Sequence, residues 1–98
     1  MVYLVRTVRV TGDWSKMESA GRALLEYWGK APQVRRAEGW SNIAGRQNEF
    51  RFVAQFDSLA DEEKFAMSVW TDPAYEKVMT EFVQVFEIGE DQLFRTFE

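Results

Sequence analysis

The chain reads as an α+β domain in which a four-stranded antiparallel sheet carries two helices on one face. Three observations predict this. Residues 2–10 and 48–56 alternate with a period of two, as half-buried strands do. Residues 14–29 and 59–86 carry apolar stripes at helical spacing. These patterns follow one another as strand, helix, strand, strand, helix, strand, with no repeat, linker or low-complexity segment between them.

In the first strand Val2, Leu4, Val8 and Val10 share a face with Arg6, while Tyr3, Val5 and Thr7 share the other. Thr11-Gly12-Asp13 is a turn, and Asp13 suits a helix N-cap. Over residues 14–29 Trp14, Met17, Gly21, Leu24, Leu25 and Trp28 form one stripe, with Lys16, Glu18, Arg22 and Glu26 off it. Gly29 followed by Pro32 stops that helix. Residues 34–43 form a less regular strand, Trp40 and Asn42 to one side, Ala37 and Ile43 to the other. Gly39 there suggests a bulge or a close backbone approach. Ala44-Gly45-Arg46-Gln47 turns the chain into residues 48–56, so the two strands form a hairpin.

Asp57-Ser58 opens the second helix. Asp61, Glu62 and Glu63 in its first turn suit the positive end of the helix dipole, and Phe65, Val69 and Trp70 lie inward. Thr71-Asp72-Pro73 breaks it, with Asp72 able to cap and Pro73 suited to the first position of a new helical segment. Tyr75, Val78, Met79, Phe82 and Phe86 continue the apolar stripe, and Gly89 ends it. Residues 92–98 form a last short strand. The result is a single domain over residues 1–98 with the ferredoxin-like βαββαβ plan.

Composition narrows the chemistry. Among 98 residues there is no Cys and no His, which removes disulfides, Cys or His metal sites, Cys nucleophiles and His-based triads. The net charge of −4 argues against nucleic acid or an anionic membrane as the main partner, since both reward positive charge. The first ten residues alternate and carry Arg6 and Arg9, so they are neither a signal peptide nor a membrane span, and the expected compartment is the cytoplasm.

Two apolar helical stripes need an apolar sheet face to cover. The row Phe50, Phe52 and Phe56 is the best candidate, joined by Leu4, Val8, Trp40 and either Leu93 with Phe97 or Phe94. Burying each Phe is worth roughly 1.5–3 kcal/mol. A pocket within that core, or an exposed stacking platform, are the alternatives. The opposite face would carry Tyr3, Val5, Thr7, Ala37, Ile43, Arg51, Val53 and Gln55. It is half apolar, and no other part of the chain is left to cover it, so it suits a subunit interface.

Residues 45–83 carry a resemblance. The segments GRQNEF (45–50), QFDSLADEE (55–63) and DPAYEKV (72–78) resemble the NIPSNAP-like families of the dimeric α/β-barrel superfamily. Relatives there show a G-x-x-N-E turn, a strand ending in an aromatic before D-S-L, and a D-P-x-W/Y break in the second helix. The resemblance implies a homodimeric α/β barrel with helices outside, and a ligand pocket between sheet and helices of each subunit. Related families include cofactor-independent monooxygenases acting on phenolic compounds, such as the antibiotic-biosynthesis monooxygenases, and haem-degrading enzymes. Haem-binding members hold iron with a His late in the second helix, where this chain has Lys77-Val78-Met79. The strand-ending position that is often Trp in such enzymes is Phe56 here, which cannot donate a hydrogen bond.

A site of that kind needs polar groups inside an apolar pocket. Arg6 comes first, because a charge on an apolar face must be paired or functional. Its plainer readings are a side chain reaching past the sheet edge, or a pair with a helix carboxylate. Tyr75 is the candidate proton donor, with a core role as the alternative. The candidate ligand-binding residues are Trp40, Asn42, Phe52, Phe56, Trp70, Met79 and Arg95, while Met79 also reads as a packing residue. No metal and no cofactor are expected. The expected function is binding or oxidising a small apolar or phenolic molecule. The alternative is a homodimeric interaction module without catalysis.

The RNA-recognition motif shares the element order, and NEFRFVAQF is superficially similar to its third-strand octapeptide. Tyr3, Phe50 and Phe52 would then stack on bases. Glu49 and Arg51 in place of that motif's glycines, the acidic charge and the long second helix count against it.

Overall fold

A computed structural model describes residues 1–97. Strand β1 (Val2–Val10) is followed by a single 3-10 turn (Trp14–Lys16), helix α1 (Met17–Lys30), strands β2 (Val34–Ser41) and β3 (Glu49–Phe56), helices α2 (Leu59–Trp70) and α3 (Pro73–Phe82), and strand β4 (Phe86–Arg95). The sheet is antiparallel throughout, in the order β2-β3-β1-β4. This is the ferredoxin-like α+β arrangement. The Asp72-Pro73 break separates two helices, so three helices rather than two accompany the sheet. No helix among the described residues is long and apolar enough to cross a membrane.

Local chemistry accounts for the ends of the elements. Asp13 accepts from the Ser15 amide and hydroxyl, Ser58 caps α2 through the Asp61 amide, and Asp72 caps α3 through the Ala74 amide with Pro73 beside it. The helix-facing side of the sheet then closes over Ala20, Leu24 and Trp28 of α1, Phe65 of α2 and Phe82 of α3. Phe52, Phe82 and Phe86 meet at its centre, with ring centroids 4.6–5.6 Å apart. Helix α1 lies close to β3 because Gly21 has no side chain. A Cβ there would sit 3.2 Å from the Phe52 ring.

Three expectations need correction. Helical spacing carried α3 on through Phe86 to Gly89, yet α3 ends at Phe82 and β4 starts at Phe86. Bonds from Gln84 to Glu81 and from Val85 to Phe82 tighten the exit. Strand β4 then pairs with β1 over its whole length, which a continuing helix would have left without partners on that side. Phe86 remains in the core on either reading, and that is why its spacing misled. Of the last strand expected at residues 92–98, residues 92–95 are the end of this longer strand, Thr96 and Phe97 lie beyond it, and Glu98 lies outside the described residues.

The second correction concerns β2. Val34 pairs with Phe56 but Arg36 pairs with Gln55, so Arg35 is an extra residue. One extra residue turns every later side chain to the opposite face. Trp40 thus sits opposite Arg51 on the open face, and Ala37 opposite Ala54 on the helix face, the reverse of the expectation. Asn42 and Ile43 belong to the turn after β2, with Ile43 fully exposed.

Tyr3 pairs with Gln55 and Arg6 with Phe52, which places Tyr3 and Phe52 on opposite faces of the sheet, as expected. Phe52 is buried, so the rings that a nucleic-acid platform would need do not share a surface. Third, Trp14, expected in the core stripe, is half exposed and meets the edge of Phe50.

The amides of Thr11 and Gly12 both donate to the Val85 carbonyl, at 3.0 and 3.1 Å. A Cβ at Gly12 would fall 2.1 Å from the Gln84 carbonyl oxygen, and backbone cannot swing aside as a side chain can. Gly12→Ala is expected to destabilise the domain by about 2–4 kcal/mol, read as a lower urea midpoint at unchanged m-value.

Candidate functional site

Helices α2 and α3 do not cover the whole sheet. Over the β1–β4 half they leave a cleft of about 950 Å³. Leu4 and Arg6 of β1 with Asp91 and Leu93 of β4 form its floor, and Trp28 of α1 closes the back. Glu62, Phe65, Val69 and Trp70 of α2 line one side, and Tyr75, Glu76 and Met79 of α3, with Val83 just past its end, the other. The Thr71-Asp72-Pro73 break lies between the two helices.

Arg6 is the one charged residue in the core among the described residues, 8% exposed. Its Nε donates to Asp91 Oδ1 and its Nη2 to Asp91 Oδ2, each at 2.9 Å, a bidentate pair. Its Nη1 donates to the Tyr75 hydroxyl at 3.3 Å and approaches Met79 Sδ at 3.6 Å. The guanidinium lies over the Trp28 ring, 5.4 Å from its centroid. Burial alone would weaken its hold on the proton, but the hydrogen bonds it donates to Asp91 and the nearby charges outweigh this, and the net shift is upward. The partner of Arg6 is a strand carboxylate, whereas a helix carboxylate was one of the plainer readings of the sequence.

A β-bulge creates that partnership. Val8 pairs with Ile88 and Thr7 with Glu90, which leaves Gly89 as the extra residue. Without it Arg6 would oppose Glu90. With it Arg6 opposes Asp91 on the helix face. A Cβ at Gly89 would lie 3.3 Å from the Thr7 carbonyl oxygen, a reason for glycine there.

A second polar link stands beside the first. Tyr27 donates to Asp72, whose other oxygen caps α3. Burial first, then this hydrogen bond and the charge of Asp72, push the Tyr27 phenol above its ordinary value. The Tyr27 and Tyr75 rings are 5.1 Å apart, so the two links touch. At the α2 side, burial and the charge of Glu63 raise the Glu62 carboxyl.

Of the sequence candidates, Arg6, Tyr75, Trp70 and Met79 line this cleft. Phe52 and Phe56 do not. They are packed beneath α1, α2 and α3, in contact with Phe82 and Phe65 respectively. Trp40 is on the opposite face of the sheet. Asn42 holds the β2–β3 turn, donating to the Arg46 carbonyl and accepting from Arg51. Arg95 pairs in register with Val2 and stays exposed at the end of β4. Asp91, Trp28, Glu62 and the Tyr27–Asp72 link were not singled out from sequence. Only Asp91 had a signal there, since a buried Arg demands a carboxylate, but its place depends on the bulge.

The pair is asymmetric, because the Asp91 side chain is 41% exposed and that of Arg6 10%. Removing the carboxylate strands a buried cation, whereas removing the cation leaves a carboxylate that water can reach. Asp91→Ala is expected to cost about 2–4 kcal/mol and Arg6→Met about 1 kcal/mol or less, by urea denaturation at pH 7. The raised carboxyl of Glu62 means the folded state holds that proton more tightly than the unfolded one. That contribution is present below the unfolded value and is lost as pH rises through the folded one. Glu62→Gln is therefore expected to raise the urea midpoint at pH 7, with the difference gone below about pH 4.

No protein-family model matches the sequence, and no curated protein matches it. Solved structures do. SnoaB, a cofactor-independent oxygenase from Streptomyces nogalater, is 15% identical, covers 99% of this chain and 93% of its own, and superposes with a TM-score of 0.80. A NIPSNAP domain protein from Burkholderia xenovorans is 18% identical over 99% of this chain and 95% of its own, with a TM-score of 0.74. A protein from Deinococcus radiodurans classed with the antibiotic biosynthesis monooxygenases is 9% identical over 100% and 94%, with a TM-score of 0.72. At these identities the likeness concerns the backbone, and the chain has the α+β ferredoxin-like fold that a cofactor-independent oxygenase, a NIPSNAP domain protein and monooxygenase-like proteins share.

Proposed function

We propose that the cleft binds a small, largely apolar molecule and supports its oxidation by dioxygen without a metal. The observation that carries this reading is the buried Arg6, locked by Asp91 and joined to Tyr75 at the floor of a largely apolar cleft. Small-molecule sites have this make-up, an apolar wall with a few converging polar groups. The fold likeness to a cofactor-independent oxygenase supports the choice of chemistry. The sequence supports it too, since without His or Cys the usual ligands of a redox metal are missing.

For a phenol the reaction balances simply. A ring C–H becomes a carbonyl, one atom of dioxygen enters the quinone, and the other leaves as water. Arg6 and Tyr75 are the groups placed to hold the substrate oxygen as its electron density rises, with Tyr75 the proton donor. Met79 and Trp70 supply apolar wall. With 1-naphthol as probe, oxygen uptake and 1,4-naphthoquinone formation above the buffer rate are expected, falling at least tenfold in Arg6→Met. Uptake equal to the buffer rate in the wild type would end the oxidation reading, and absence of 1-naphthol binding by calorimetry would end the ligand reading.

A second reading concerns assembly. On the open face Val5 and Val53 lie under Tyr3, Trp40 and Phe94, and the last two rings are about half exposed. No helix covers them. A second copy packed sheet to sheet would bury this patch, which supports a homodimer in the sense of the α/β barrel, with or without catalysis. Light scattering is expected to give twice the 11.5 kDa chain mass. Trp40→Glu with Phe94→Glu should then yield the single-chain mass.

A further inference from the structure

Two adjacent residues of helix α1 stand behind the two polar groups of the cleft. The Arg6 guanidinium lies over the Trp28 ring, 5.4 Å from its centroid. The Tyr75 ring lies against that of Tyr27, with centroids 5.1 Å apart and planes tilted by 50°. Tyr27 is tied in turn to Asp72 by its hydroxyl. Asp72 holds the stretch of chain that carries Tyr75. Its other carboxylate oxygen accepts from the Ala74 amide, and its carbonyl accepts from the amides of Tyr75 and Glu76 at 3.1 and 3.3 Å. Tyr75 is thus held at its main chain by Asp72, at its ring by Tyr27 and at its hydroxyl by Arg6. It needs all three. It stands in the first turn of α3, just after the break at Pro73, and helix ends fray unless groups outside the helix hold them. The bond from Arg6, at 3.3 Å, is longer than the usual range and does not fix the ring by itself. Tyr27 is not among the residues that line the cleft. It borders a separate groove with Ala23, Lys30, Pro32 and Val78.

We propose that Tyr27, through its hydrogen bond to Asp72, is a positioning residue that sets the Tyr75 hydroxyl against Arg6 without touching the ligand. This rests on the reading of Arg6 and Tyr75 as the groups that hold the oxygen of a phenol during its oxidation. The Tyr27 hydroxyl makes one hydrogen bond among the described residues, the one to Asp72. Tyr27→Phe therefore removes the tie between α1 and the start of α3 and keeps a ring beside Tyr75. Asp72 still caps α3, so the helix persists, but its first turn is free to shift relative to β1. A displacement of about 1 Å at a reacting group can cost on the order of a hundredfold in rate. The wall that meets the ligand is unchanged, so the loss falls on turnover and not on binding. Burial, the bond to Asp72 and its charge raise the Tyr27 phenol, which keeps it a donor well above neutral pH.

Steady-state oxygen uptake with 1-naphthol, and calorimetry with the same probe, test this on the whole chain, its Tyr27→Phe and Tyr75→Phe variants and the double variant. Tyr27→Phe is expected to lower kcat about tenfold, with KM and calorimetric affinity within about twofold of the wild type. In the Tyr75→Phe background the same change should lower kcat no further, because the hydroxyl it positions is gone. A residue that only supports the fold would lower the urea midpoint and leave kcat of the folded protein alone. Should Tyr27→Phe fail to fold, Asp72→Ser carries the same expectation, since its hydroxyl caps the helix but offers Tyr27 no second oxygen. Unchanged kcat in Tyr27→Phe, or a loss that appears in KM and affinity instead, overturns the positioning role and leaves the oxidation reading standing. Wild-type uptake at the buffer rate ends that reading and this inference with it.

Discussion

A guanidinium buried on the apolar side of a small sheet is the constraint around which this molecule is arranged. An unpaired charge there would take a large share of the marginal stability of a 98-residue domain. Asp91 meets that demand through both oxygens, and Tyr75 and Met79 take the remaining amino group. The pair cannot lie under a tightly packed helix, because Asp91 keeps contact with water. The site where helices α2 and α3 stand away from the sheet is therefore the site where the charge can be held.

The two halves of the helix-facing surface behave differently for that reason. Over β2 and β3 the packing is dry and aromatic, with Phe52, Phe82 and Phe86 in mutual contact and Gly21 letting α1 come close. Over β1 and β4 it opens into a cleft with a polar floor. Two single-residue bulges set this division. Arg35 turns Trp40 away to the open face, and Gly89 turns Asp91 toward Arg6. Either register slip would exchange the contents of the two faces.

The polarity of the cleft follows from the same arithmetic. Carboxylates are present in excess, but those at the floor are already committed to Arg6, Tyr27 and a helix N-terminus. The backbone likeness to oxygenase and NIPSNAP structures concerns the fold that carries this cleft.

The sequence by itself determined the element order, the antiparallel sheet, the caps at Asp13, Ser58 and Asp72, the break at Pro73 and the anomaly of Arg6, because periodicity, capping and burial cost are local properties. It misplaced the start of β4, since Phe82 and Phe86 keep helical spacing while one lies on a helix and the other on a strand. It could not see which face Trp40 joins, which carboxylate reaches Arg6, or that Phe52 and Phe56 are sealed while Trp28 borders the cleft. Those depend on where a strand gains one residue relative to its neighbour and on how closely a helix lies over it. Both are relations between distant segments, and only the tertiary structure decides them.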